Sequence, residues 1–293
     1  MMKLLLRESA RTPFRGSVIQ LGRQSCTFQQ EDVEAWAPRL GARLAAPVCS
    51  TVDKPRLQQS RIDDRRFFGM LGFDEVVSCD AADYEGADFV VDLNLPISDA
   101  LKGRFDAVMD VGTSEHVFSL PQLLANLHAM LKPDGRIVHF VPVSNQVDHG
   151  FYSFSPTLFY DYYSANKYAI ETALVLQCLE WGGVISAFEY SPGPINQCFN
   201  CFDPFTQVGL MFVARKTADS SCDRIPMQGA YASTWSETSS AQVESTAPAS
   251  DWRQVAKTKL PGLTMATRIA MDRVRHLRQR FAPAKRLPFL GYY

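Results

Sequence analysis

Several features are missing from this 293-residue chain, and each absence narrows what it can be. No stretch approaches the length of apolar sequence that crosses a bilayer. The opening residues carry only Leu4, Leu5 and Leu6 as an apolar core, shorter than the hydrophobic part of a secretion signal, so a cytoplasmic protein is expected. Net charge is also missing. With 30 Lys and Arg against 31 Asp and Glu, the overall field favours neither nucleic acid nor membrane, and any such preference must come from local clusters. There is no disulfide framework, because the seven cysteines are odd in number and scattered. Cys198 and Cys201 form a close pair, but no second pair and no His-x-x-x-His accompanies them, so no metal site is expected. Finally, no G-x-G-x-x-G follows the first expected strand, which disfavours a nucleotide-dependent oxidoreductase.

What is present is concentrated between Arg104 and Asn145. Phe105 to Met109 is a short apolar run, Leu120 to Leu131 has apolar residues at helical spacing, and Ile137 to Val141 is apolar again. Lys132-Pro133-Asp134-Gly135 ends the helix: Pro133 cannot continue it, and Gly135 is expected to supply the positive-φ residue of the turn. The reading is strand, polar loop, helix, turn, strand, which is a βαβ unit of a parallel sheet.

This stretch resembles the second half of the class I S-adenosylmethionine-dependent methyltransferase domain. The resemblance is carried by Phe105-Asp106-Ala107-Val108, Glu115-His116-Val117 and Leu131-Lys132-Pro133-Asp134-Gly135, in that order. It implies an α/β, Rossmann-like fold with a mostly parallel seven-stranded sheet, helices on both faces, and S-adenosylmethionine as cofactor. The domain is expected over residues 10–217.

The first strand is expected at Ser17 to Leu21, followed by Gly22, Arg23 and Gln24. In the family a glycine-rich loop passes here under the cofactor, where only glycine lets the backbone approach closely. This chain has one glycine, so either Arg23 and Gln24 contact the cofactor with their side chains, Arg23 on its carboxylate for instance, or the site binds it poorly or not at all, the plain alternative being an ordinary strand-to-helix turn. Helices are expected from Glu31 to about Leu40 and over Arg61 to Leu71, the latter with Ile62, Phe67, Met70 and Leu71 inward. A strand from Glu75 to Cys79 ends at Asp80, placed to accept both hydroxyls of a ribose or, alternatively, to cap the next turn. A strand from Ala87 to Val91 leads into Asp92, Leu93 and Asn94, which resemble the segment reading the adenine amino group. After the next strand, Asp110, Gly112, Glu115 and His116 occupy the position where the family packs the cofactor on one side and substrate on the other; Glu115 and His116 also admit plain structural roles.

Beyond Val141, His149 and Tyr152 sit among Phe151 and Phe154, just before Ser155-Pro156, an expected helix start. His149 is the leading catalytic candidate, a base for an acceptor hydroxyl or amine, with an idle surface histidine as the alternative. Tyr168 to Leu176 reads as a strand, with a helix as the alternative, and Thr206 to Ala214 as another; by the methyltransferase resemblance they would supply the last strand pair, the final one antiparallel and inserted, with 180–205 a loop-rich insertion. Residues 218–250 are expected to be a disordered linker. The tail, 251–293, carries an apolar stripe among arginines and reads as a basic amphipathic helix for an anionic membrane, a protein partner or the chain's own surface. No base-reading motif supports specific nucleic-acid binding. The implied activity is methyl transfer to an oxygen or nitrogen acceptor on a small molecule or glycan, the alternative being an inactive methyltransferase-like binding or scaffolding module.

Overall fold

The computed structural model describes residues 1–46, 61–178, 184–193, 202, 206–229, 231 and 287–293. Expectations for the Cys198/Cys201 pair and for the basic helix in the tail lie outside those residues.

The strands are β1 (Ser17–Leu21), β2 (Glu75–Asp80), β3 (Phe89–Val90), β4 (Phe105–Val111), β5 (Leu131–Ser144), β6 (Ala169–Cys178), β7 (Ile185–Glu189), β8 (Gln207–Arg215) and β9 (Phe289–Tyr292). They form one sheet in the order β3-β2-β1-β4-β5-β8-β6-β7-β9. The first five are parallel, and β8 is inserted antiparallel between β5 and β6. The sequence alternates to match. Val18, Ala107, Met109, Val138, Met211 and Val213 bury on one face, while Ile19, Val108, Ile137, Leu210 and Phe212 bury on the other. Helices α1 (Met2–Arg11), α2 (Gln30–Trp36) and α3 (Asp64–Met70) cover the first face; α4 (Leu120–Met130) and α5 (Pro156–Ala165) cover the second.

The sheet has nine strands where seven were expected, and the additions come from outside the expected domain or from within its insertion. Leu4, Leu5 and Leu6 are almost wholly buried in α1, so the apolar run at the start is a core face. Buried Glu8 of α1 is paired with Arg136 of β5, whose Nε also donates to Glu171 of β6 at 2.8 Å. β7 arises within the expected loop-rich insertion, and Phe289–Tyr292 of the tail return as β9, antiparallel to β7. The start of the expected linker is not free either. Asn166 Nδ2 donates to the Arg224 carbonyl at 3.0 Å, and Gly229 N–H donates to Asp161 at 2.9 Å, holding this segment against α5.

Two local expectations are corrected by the backbone. The expected turn is an irregularity within the first residues of β5, where the pairing with β4 shifts register, and there Asp134 has the positive φ, 61°, and Gly135 does not. Gly135 is required for closeness instead: a Cβ there would stand 2.9 Å from the Lys132 carbonyl. Ser155 does precede α5, with Pro156 at its first turn, but its side chain makes no cap bond.

Candidate active site at the carboxyl edge of the parallel strands

Strand order reverses at β1, which lies between β2 and β4, and a crevice opens beyond the carboxyl ends of such strands. Register decides what lines it. Leu21 is paired with Cys79 on one side and Asp110 on the other, so Gly22, Asp80 and the Val111–Gly112 step leave the sheet at one level. Gly22 has φ 71°, and a Cβ built there would lie 3.5 Å from Thr113 Oγ1 and 3.7 Å from Asp80 Oδ2. The positive φ favours glycine here, with two polar side chains within ordinary contact of where a Cβ would stand. Thr113 ties the loops together by donating to the Leu21 carbonyl at 2.7 Å. Asp80 Oδ1 accepts from the Ala81 N–H at 2.6 Å, while Oδ2 is the oxygen beside Gly22.

The other residues singled out near this glycine have partners. Arg23 is buried, its guanidinium paired with Asp64, with Nε on Oδ2 at 2.7 Å, and with Asp63 at 3.4 Å. It therefore fastens the loop after β1 to α3, and the expected reach to a cofactor carboxylate is not the contact its guanidinium makes. Gln24 folds back onto the Leu21 carbonyl at 3.2 Å. Asp92 closes a tight turn by accepting from the Asn94 N–H and side chain, both at 2.9 Å, which hold its carboxyl below the usual range. Asn94 Oδ1 in turn accepts from the Ser119 N–H, and Leu93 is core.

Beyond β4 the chain carries two buried carboxylates five residues apart. Asp110, fully enclosed, accepts from the N–H groups of Thr113 at 3.2 Å and Ser114 at 3.0 Å, from the Ser114 hydroxyl at 2.5 Å, and from His139 Nδ1 at 2.6 Å. The far nitrogen of His139 meets the Tyr163 hydroxyl at 2.7 Å, giving a dry chain from β4 through β5 to α5. Sequence reasoning missed His139 because it sits within a strand that reads as apolar; a histidine at a core-facing position of that run was the available signal.

Glu115 is just as enclosed, at 1 % exposure, yet its Oε2 finds no hydrogen-bond partner among the described residues. Burial pushes its carboxyl up to about 7, with the charge of Asp110 acting in the same direction. Its Oε1 lies 3.4 Å from Nε2 of His149, which is about half exposed, and the His149 ring is 5.2 Å from that of His116. Burial and the neighbouring His149 lower the His116 pKa. The two loops are joined through the backbone, since the Glu115 carbonyl accepts from Phe151 at 2.8 Å and Tyr152 at 3.3 Å. The structure thus brings Glu115, His116 and His149 together. It sets Tyr152 to another task, because its hydroxyl donates to the Phe118 carbonyl at 2.6 Å and its ring stacks on Phe154.

No family model and no curated protein matches the chain. Solved structures similar to it include 1,6-didemethyltoxoflavin-N1-methyltransferase of Burkholderia thailandensis, 16 % identical, covering 74 % of this chain and 76 % of that one at TM-score 0.35. Another is the N-methyltransferase NodS of Bradyrhizobium japonicum WM9, 12 % identical over 74 % of this chain and 94 % of that one, TM-score 0.41. A third is a 16S rRNA adenine-N1-methyltransferase of Catenulisporales acidiphilia, 12 % identical over 73 % and 91 %, TM-score 0.32. Five parallel strands reversing at β1, an antiparallel β8 inserted before β6, and helices on both faces give this chain the Rossmann-like fold of the class I S-adenosylmethionine-dependent methyltransferases.

Proposed function

We propose that the chain is an S-adenosylmethionine-dependent methyltransferase acting on an oxygen or nitrogen of a small-molecule or glycan acceptor. The observation that carries this is the convergence of Gly22, Asp80 and Thr113 at the reversal of strand order, where the positive φ of Gly22 favours glycine. Asp80 is suited to hold ribose hydroxyls through Oδ2. Asp92, Leu93 and Asn94 stand beyond β3, the next strand but one from β1, in reach of the adenine end. Gly112 brings the backbone of the third loop close, and Gln24 and Arg23 shape the first.

When bound, the cofactor supplies an electrophilic methyl group on a sulfonium, which leaves as a neutral thioether while the acceptor gives up one proton. The chain's own part is alignment, exclusion of water and removal of that proton. His149, exposed on one side and facing Glu115 on the other, is the residue placed to receive it. Tyr152 serves by holding the Phe118 loop rather than by proton transfer.

Calorimetric titration with S-adenosylmethionine and S-adenosylhomocysteine tests this reading. Micromolar-range affinity is expected, lost in Gly22→Val and weakened about 10- to 100-fold in Asp80→Ala, the cost of a charge-assisted hydrogen-bond pair. A second reading, a binding module without catalysis, draws on the single glycine of this loop and on the engagement of Arg23 with Asp63 and Asp64. A folded chain that binds neither compound would establish it over the first.

A further inference from the structure

Of the groups brought together at this edge, one cluster has a composition that proton transfer alone does not call for. Glu115, His116 and His149 place a carboxylate oxygen and two imidazole nitrogens within 4.8 Å of one another. Two of the three atoms are already spaced as ligands. A bond length of about 2.0–2.1 Å around a tetrahedral ion sets neighbouring donors roughly 3.4 Å apart, and Glu115 Oε1 to His149 Nε2 measures 3.4 Å. The third donor, on His116, is exposed and lies within 4.8 Å of the other two.

The second observation is independent of that spacing. Glu115 Oε2 is buried with no hydrogen-bond partner among the described residues, although leaving a carboxylate oxygen so placed costs about 1–3 kcal/mol or more. Nearby Asp110 shows that this part of the fold can satisfy a buried carboxylate completely. The loop carrying His149 also packs closely on Glu115: a Cβ at Gly150 would lie 2.8 Å from the Glu115 carbonyl, whereas one at Gly112 would make ordinary contact with Oε1 at 3.4 Å.

We propose that Glu115, His116 and His149 form a binding site for a divalent transition-metal ion of the zinc type. Two imidazoles and one carboxylate suit such an ion and leave a coordination position open. The site borders Gly112, where the acceptor would meet the methyl group, so the open position faces the acceptor. There the ion acts as a Lewis acid, without redox change: an acceptor hydroxyl ionises near neutral pH and its proton passes to solvent water. His149 then acts through the ion rather than as a free base. This use rests on the methyltransferase reading, whereas the ion site itself does not.

The test is to strip the purified full-length chain with a chelator and titrate it with Co²⁺, following visible absorption, and with Zn²⁺ by calorimetry. One ion per chain is expected, with the d–d bands of nitrogen and oxygen ligation and no thiolate-to-cobalt charge transfer. Glu115→Gln, His116→Ala and His149→Ala, each checked for fold by circular dichroism, should each weaken binding at least 10-fold, while Asp99→Asn, at an exposed acid paired with Lys102 instead, should not. No ion bound by the folded chain, thiolate bands, or binding unaltered in all three variants would overturn the proposal. Titrating S-adenosylhomocysteine into the metal-free chain separates this outcome from the other reading: cofactor binding without an ion site leaves the methyltransferase assignment standing, and the converse leaves only the ion site.

Discussion

Asp110 and Glu115 are separated by a single polar loop and are equally buried, but they have opposite surroundings. Asp110 is the hub of an inner region. Four donors converge on it, and one of them, His139, continues to Tyr163, so β4 and β5 are linked to α5 through buried side chains. Glu115 belongs to an outer region in which one carboxyl oxygen has no hydrogen-bond partner among the described residues and the facing imidazoles are exposed. A satisfied carboxylate fixes structure. An unsatisfied one, held in place by its backbone, is available for a ligand.

The comparison is broken most severely at Asp110. Asp110→Ala removes the acceptor of four donors and leaves His139 Nδ1, the Ser114 hydroxyl and two amides without their partner in the interior. A loss of about 3–5 kcal/mol is expected in urea denaturation, since each stranded buried group carries its own desolvation cost. A loss under about 1 kcal/mol would mean that the network organises nothing. Glu115→Gln should behave in the opposite way. It keeps the size of the side chain and replaces a buried carboxyl whose second oxygen has no hydrogen-bond partner among the described residues, so stability should stay within about 1 kcal/mol of the parent or rise. Under the proposed methyltransferase activity, turnover of an acceptor should fall about 100-fold. If Glu115→Gln destabilised as much as Asp110→Ala, the division between inner and outer carboxylate would fail.

Which parts of this were legible in the sequence follows from the same contrast. The βαβ unit around α4 could be read because Pro133 and the periodicity of Leu120 to Leu131 are local signals. Asp80 and Gly22 could be placed because a strand end fixes its own carboxyl-side loop. Pairing of Arg23 with Asp63 and Asp64 joins residues some forty positions apart, and nothing near Arg23 announces it. Both His139 and β9 eluded the reading for a similar reason: the first is polar within an apolar run, and the second pairs with β7 across about a hundred residues. Glu115 and His116 stood out as a dipeptide, but the approach of His149 required the two backbone bonds to the Glu115 carbonyl.

A finer probe of the inner region is Tyr163→Phe. The ring keeps its stacking on Phe212, centroids 5.6 Å apart, and only the hydroxyl on His139 is lost. The expected cost is about 1–2 kcal/mol, the value of one buried hydrogen bond whose partner is left behind. Cofactor affinity should not change, because other loops converge at Gly22. A drop in affinity without a drop in stability would show that the inner chain reaches the site after all.

The smallest effect concerns a histidine at the opposite end of the sheet, which serves as the reference for both regions. His128 Nδ1 meets the Tyr168 hydroxyl at 2.7 Å, and burial, reinforced by Lys216, lowers its pKa to about 4. The folded chain thus keeps this ring neutral where the unfolded chain protonates it near 6.5. Its contribution is fully present above about pH 6.5 and is lost as the pH falls toward 4, amounting to on the order of 1–2 kcal/mol for a partly buried group. Between pH 6.5 and 5, before carboxylates dominate the titration, unfolding free energy should fall less steeply in His128→Gln than in the parent. Parallel curves over that interval would show that His128 is as easily protonated in the fold as outside it, and that burial at this end of the sheet, unlike the enclosure around Asp110, does not keep water out.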